Sequence, residues 1–105
     1  MPKYLLAFHG GGMPETEEEQ AKVMAAWGQW YQTLGAAVVD PGNPVGSTRT
    51  IDSDGSATDG GGANPVSGYS IISADDMDDA VAKSQGCPIL EGGGAIEVSE
   101  TFDVM

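Results

Sequence analysis

Lys3-Tyr4-Leu5-Leu6-Ala7-Phe8-His9, followed at once by Gly10-Gly11-Gly12, is the stretch on which the fold turns. Tyr4, Leu6 and Phe8 alternate with Leu5, Ala7 and His9, and both sets are largely apolar. A strand that is apolar on both sides is covered on both faces, so this segment is predicted to be central in its sheet. His9 is the only histidine of the chain. A titratable imidazole where a buried strand meets a glycine loop is a candidate acid/base position.

Working outward, the next element is a helix. Thr16 with Glu19 three residues later forms a capping box, and Glu17 and Glu18 suit the positive end of the helix dipole. Met13, just upstream, is expected to add an apolar contact where the helix begins. Val23, Trp27, Trp30, Tyr31 and Leu34 recur at helical spacing, and Gly35 closes the helix. Trp27 and Trp30 on one stripe read as core. Ala36 to Val39 is a short second strand, ended by the turn chemistry of Asp40-Pro41-Gly42-Asn43-Pro44. Ser47 to Ile51 resumes extended structure. Asp52 to Pro65, rich in Asp, Ser, Gly and Asn, is expected to be a mobile hairpin or loop.

Val66 to Ile72 is a third strand. Ser73 with Asp76 makes a second capping box in its aspartate form. Met77, Ala80, Val81 and Ser84 lie along one side of a short helix that Gly86 and Pro88 stop. Ile89-Leu90 is too short to place. Ala95 to Phe102 alternates, with Ile96, Val98 and Phe102 inward and Glu97 outward; Glu100 breaks the pattern. The order strand, helix, strand, strand, helix, strand predicts an α+β ferredoxin-like split β-α-β sandwich: a four-stranded antiparallel sheet with two helices on one face. The helix-free face carries Leu5 and Ala7, so a second copy of the chain is the expected cover, and the partner expected is a homodimer mate.

Composition narrows the function. The chain has 105 residues, enough for a single domain over 1–105, with 4 Lys+Arg against 16 Asp+Glu and a formal charge of −12. Such a surface repels phosphate backbones and anionic lipid, so neither nucleic acid nor a membrane surface is an expected partner. No apolar run is long enough to span a membrane, and the stretch behind Lys3 is too short for a signal peptide. Cys87 has no partner for an internal disulfide and reads as a small apolar residue near a helix end. The reduced cytoplasm is the expected compartment.

The glycine- and aspartate-rich loops bear on the chemistry. Gly10-Gly11-Gly12 before a helix lacks the Lys-Ser/Thr of a phosphate loop, and Glu15 to Glu19 would repel phosphate. Asp52-Ser53-Asp54-Gly55 lacks the bidentate glutamate of a calcium loop. No Gly-x-Ser-x-Gly elbow is present. No cofactor and no metal is expected. A general base needs a partner to fix its tautomer, and the candidates for His9 are Asp59, if its loop folds over the end of the first strand, and Asp40 at the end of the second. The bland alternative is a structural histidine hydrogen-bonded at a strand end.

The residues also resemble the YCII-related family, in its branch with a DGPF motif. The likeness rests on Lys3-Tyr4-Leu5-Leu6, Val23-Met24-Ala25-Ala26-Trp27, Leu34-Gly35-Ala36 and Thr58-Asp59-Gly60. It continues through Gly68-Tyr69-Ser70-Ile71-Ile72, Ala74-Asp75-Asp76-Met77-Asp78-Asp79-Ala80 and Gly93-Gly94-Ala95-Ile96-Glu97-Val98, and so covers nearly the whole chain. The motif's Pro-Phe should follow Asp59-Gly60; Gly61-Gly62-Ala63 stands there instead. The resemblance implies a dimeric α/β barrel. Some relatives are suspected enzymes using a histidine–aspartate pair, with the histidine in the first helix region, where this chain has none. Asp59 is the one position the motif itself carries over. Two functions follow: a cofactor-free enzyme acting on a small organic molecule in a dimer pocket with His9 as acid/base, or a non-catalytic small-ligand-binding or accessory module.

Overall fold

A computed structural model describes residues 1–12 and 14–104. Strand β1 (Lys3–His9) is followed by helix α1 (Glu17–Leu34) and strand β2 (Val38–Asp40). Then come the short strands β3 (Arg49–Ile51) and β4 (Ala57–Asp59), strand β5 (Val66–Ser73), helix α2 (Met77–Ser84) and strand β6 (Ala95–Glu100). The main sheet runs β2-β5-β1-β6, and every pairing in it is antiparallel. This is the ferredoxin-like order, with β1 and β5 central, as the two-sided apolar pattern of β1 requires. β3 and β4 form a separate two-stranded sheet.

The alternation of β1 sorts its side chains cleanly. Tyr4, Leu6 and Phe8 are buried in one core with Ile72 of β5, Trp30 of α1 and Ala80 of α2. Both helices therefore pack on the same sheet face. Leu5 and Ala7 look the other way and are half-buried, with Ile71 of β5 directly across from Leu5. The core is aromatic at its centre. Phe8 and Trp27 meet at 5.2 Å between centroids and 74°, and Trp27 and Trp30 at 5.8 Å and 81°. Trp30 donates its indole N–H to the Lys83 carbonyl at 3.0 Å and so ties α1 to α2.

The helix ends follow local chemistry, with one shift. Thr16 Oγ1 accepts from Glu19 N at 3.2 Å, and Gly35, at φ 56°, returns its N–H to the Tyr31 carbonyl. The cap of α2 is Asp76, not Ser73: Asp76 Oδ1 accepts from Asp79 N at 2.8 Å. Ser73 is held in β5, paired with Lys3 of β1. Along α2, Ala80 and Ser84 are buried, whereas Met77 and Val81 are exposed. Ala36 and Ala37 form a helical turn before β2, and Pro88–Leu90 makes another that buries Ile89. Ile96 and Val98 pack on the core as expected, but Phe102 lies beyond β6 and is 78% exposed. Glu100 breaks the alternation because it pairs with Tyr4 on the core side and accepts the Tyr4 hydroxyl at 3.3 Å. Burial, then that carboxylate, push the Tyr4 phenol up. The expected apolar contact from Met13 lies outside the described residues.

Candidate functional site: an uncharged aromatic cavity and a buried histidine

Two features stand out at the end of the sheet where β1 finishes. The first is His9. Register places it on the sheet face of Ala7, since Ala7 pairs with Glu97 and His9 with Ala95 on β6. The β1–β5 ladder slips between Phe8 and His9, and the chain before β5 closes over the ring, leaving it 6% exposed. Nδ1 lies 3.0 Å from the Asn64 carbonyl and 3.2 Å from that of Pro65. Both neighbours accept, so Nδ1 carries the hydrogen and donates. Nε2 sits 2.7 Å from Glu97 Oε1. That contact is close but poorly aligned, so it is no directed hydrogen bond.

His9 thus has a carboxylate partner, but the structure supplies Glu97 where Asp59 and Asp40 were expected. Asp59 is nearly fully exposed and faces Arg49 across the β3–β4 hairpin, Oδ1 to Nε 3.4 Å. Its loop does not bring its carboxylate to His9. Asp40 turns back on its own chain and accepts from Gly42 N at 2.8 Å. The alternation of β6 placed Glu97 outward; which outward residue of β1 it meets depends on a register that no local pattern encodes. His9 lines neither of the two hollows described below.

The second feature is a cavity of about 430 Å3 between the end of β1, the inner side of α1, the Pro41–Pro44 segment and the start of β5. Phe8, Trp27 and Tyr31 form its aromatic wall, Val23 and Met24 line the helix side, and the Gly10–Gly12 loop runs along the opposite edge. Met24 is 62% exposed and marks the mouth. The wall is braced. The Tyr31 hydroxyl is 2.9 Å from the Pro41 carbonyl and 2.8 Å from Ser70 Oγ, which itself donates to Pro41 O at 2.7 Å. Burial pushes the Tyr31 phenol up, and the Ser70 contact offsets part of that rise. Pro41–Pro44 is pinned along β5 by Tyr69 N to Asn43 O at 3.2 Å and by a bridge between Pro44 and Gly68. Gly42, at φ 70°, is required there: a Cβ would fall on the Tyr69 carbonyl.

No charged side chain is among the described residues that line this cavity. A shallower hollow of about 490 Å3 lies beside the hairpin, lined by short residues such as Thr48, Asn64 and Ser67, with no aromatic ring. Among the described residues no His, Cys, Asp and Glu side chains group in threes to hold a metal ion. No described helix is long and apolar enough to cross a membrane. Cys87 is buried, and burial pushes its thiol up to about 11, far from a reactive thiolate.

The sequence reading of Trp27 and Trp30 as core holds, with Trp30 buried and Trp27 packed against it, but nothing in that reading points to the cavity. A signal was present. Two tryptophans and a tyrosine on one stripe of an 18-residue helix, facing a strand that ends in three glycines, supply rings that glycine leaves without neighbours at one end. Neither a family model nor a curated protein matches this chain.

Proposed function

We propose that this chain is a small-molecule-binding module, of YCII-related architecture and working as a homodimer, whose ligand enters the cavity between β1, β5 and α1. The observation that carries this reading is the braced, uncharged aromatic cavity of about 430 Å3 in a chain of net charge −12. Preformed concavities of this size, walled by rings with a few polar groups at the edge, are the usual form of a small-ligand site. The cavity holds no carboxylate and no imidazole, so it offers binding without a general base. The homodimer is supported by the half-buried Leu5, Ala7 and Ile71 on the helix-free face.

A fragment set with neutral, cationic and anionic ring compounds, read by ligand-observed NMR, tests the reading. Saturable, mutually competitive binding is expected, and Met24→Trp, which fills the mouth, should abolish it at an unchanged thermal midpoint. Absence of any saturable fragment, or binding indifferent to Met24→Trp, overturns it.

A second reading has one observation in its favour. Nε2 of His9 is buried beside Glu97 without a directed hydrogen bond, on the face a second subunit would cover. A histidine so placed is an acid/base group for a substrate held between subunits. Loss of turnover in both His9→Gln and Glu97→Gln, with Met24→Trp fully active, would select this reading over the first.

A further inference from the structure

Granting that the aromatic cavity is the ligand site, we propose that its ligand is a bulky organic cation of the quaternary-ammonium type, held against ring faces with no direct carboxylate contact.

The wall chemistry comes first. Phe8, Trp27 and Tyr31 present π-systems to one space, and a cation over a ring face is attracted by the ring quadrupole, most strongly for Trp. Phe8, Trp27 and Trp30 meet edge to face, whereas Tyr31 lies tilted at 37° to Trp27, 6.0 Å between centroids, and at 44° to Trp30, 5.0 Å between centroids. Phe8 crosses Trp27 at 74° and Trp30 at 68°. Trp27 crosses Trp30 at 81°. Tyr31 is locked through its hydroxyl by Ser70 and the Pro41 carbonyl, so the wall costs little ordering on binding.

Charge then chooses among ligands that would fit. The chain carries 16 acidic residues against 4 basic ones. Three of those basic side chains already face acids: Lys22 to Glu18 at 3.9 Å, Arg49 to Asp59 at 3.4 Å and Lys83 to Asp79 at 2.6 Å. The field around the molecule concentrates cations and excludes anions. An anionic ligand would meet that field with no lining residue of opposite charge. A neutral ligand would gain the apolar contacts and nothing from the field. A metal ion or a primary ammonium is strongly hydrated, and an uncharged wall does not replace its water. A trimethylammonium head is weakly hydrated, loses little on entering, and gains both the ring faces and the field. Asp40 supplies the nearest fixed anion along the chain: it is exposed, directly precedes the Pro41 and Gly42 wall, and is oriented by the 2.8 Å bond from Gly42 N. A solvated carboxylate next in sequence to the wall draws in a cation without demanding the desolvation of a buried ion pair.

The decisive comparison is choline against neohexanol, its neutral isostere in which carbon replaces the nitrogen. Calorimetric titrations of the full chain with each compound, at ionic strength matched with sodium chloride, separate cation recognition from apolar filling. Choline is expected to bind about tenfold tighter or more than neohexanol, the difference a few ring contacts and the field supply together. Trp27→Leu should bring the two affinities together, while Trp27→Phe keeps the preference. Asp40→Asn, whose amide oxygen still accepts from Gly42 N, should weaken choline about two- to threefold and leave neohexanol unchanged. Should Trp27→Leu fail to fold, the choline-to-neohexanol ratio on the parent chain and the Asp40→Asn result decide. Equal or better binding of neohexanol overturns the cation proposal and leaves the cavity as a ligand site. No binding of either compound, together with a fragment set that finds no saturable ligand, removes both.

Discussion

His9 and Glu97 show why two residues in contact carry different weights. The imidazole is buried and donates to backbone carbonyls at Asn64 and Pro65, whereas Glu97 keeps 67% of its side chain exposed. His9→Ala removes a buried ring and the anchor of the chain entering β5, and should cost about 1–3 kcal/mol in denaturant titrations. Amide exchange from Gly60 to Val66 should accelerate more than that in the middle of β5. Glu97→Gln changes a solvent-screened, poorly aligned contact and should cost less than about 1 kcal/mol. Equal losses would mean that the Glu97 contact, and not the backbone contacts, holds the segment. Cys87 gives a second expectation. With its thiol pushed up to about 11 by burial, it should resist a disulfide exchange reagent at about pH 8 in the native chain and react on unfolding. Rapid native labelling would contradict its burial. His9 was legible because a lone histidine at a strand end is conspicuous. Its partner was not, because Glu97 is brought by a pairing of β1 with a strand almost the whole chain away.

Helix α2 is the element whose stability depends most visibly on charge. Lys83 Nζ lies 2.6 Å from Asp79 Oδ2, which also accepts from Asp75 N at 2.9 Å. The hydrogen bond from Lys83, and then that from Asp75, hold the Asp79 carboxyl below the usual carboxylate range. The folded chain therefore binds this proton more weakly than the unfolded chain. The resulting stability is fully present above the unfolded carboxyl value of about 3.9 and is lost as pH falls through the lower folded value. Asp79→Asn should lower the thermal midpoint near neutral pH, and its gap from the parent should close as pH falls below about 4. A gap independent of pH would point to packing in place of charge. The existence of α1, α2, β1, β5 and β6 was legible from periodicity, and α1's cap from Thr16 and Glu19. The cap of α2 was not. The run Ser73-Ala74-Asp75-Asp76-Met77-Asp78-Asp79 holds two overlapping cap signatures, and the choice falls to Asp76 only because the β1 ladder claims Ser73 and Ala74 donates to the Pro2 carbonyl.

The whole molecule is a slab, 43 by 42 Å across and 18 Å thick, with one sheet face under the helices and the other open. The four-strand order was readable from the sequence of elements, strand, helix, strand, strand, helix, strand. The cavity was not, because it is the space left where glycines follow β1, and a void has no residue to announce it. If the proposed homodimer joins two open faces, it doubles a charge of −12, so association must overcome self-repulsion. Sedimentation equilibrium should show the dimer tightening as ionic strength rises from about 0.01 to about 0.15 M, and Ile71→Lys should yield a folded monomer. A parent chain that stays monomeric at micromolar concentration would exclude the homodimer. The β3–β4 hairpin belongs to a different level of organisation. Its ladder closes on itself, from Arg49 with Asp59 to Ile51 with Ala57, and it shares no ladder with the four-stranded sheet. Such an appendage can grow, shrink or carry cargo at the exposed Asp54–Gly55 tip while the main sheet keeps its register. Lineages of this chain should record their insertions there. The same tip is the place to splice a fluorescent protein, since the two arms of the hairpin are drawn together again at its base, where Val45 N donates to the Ser67 carbonyl at 3.0 Å.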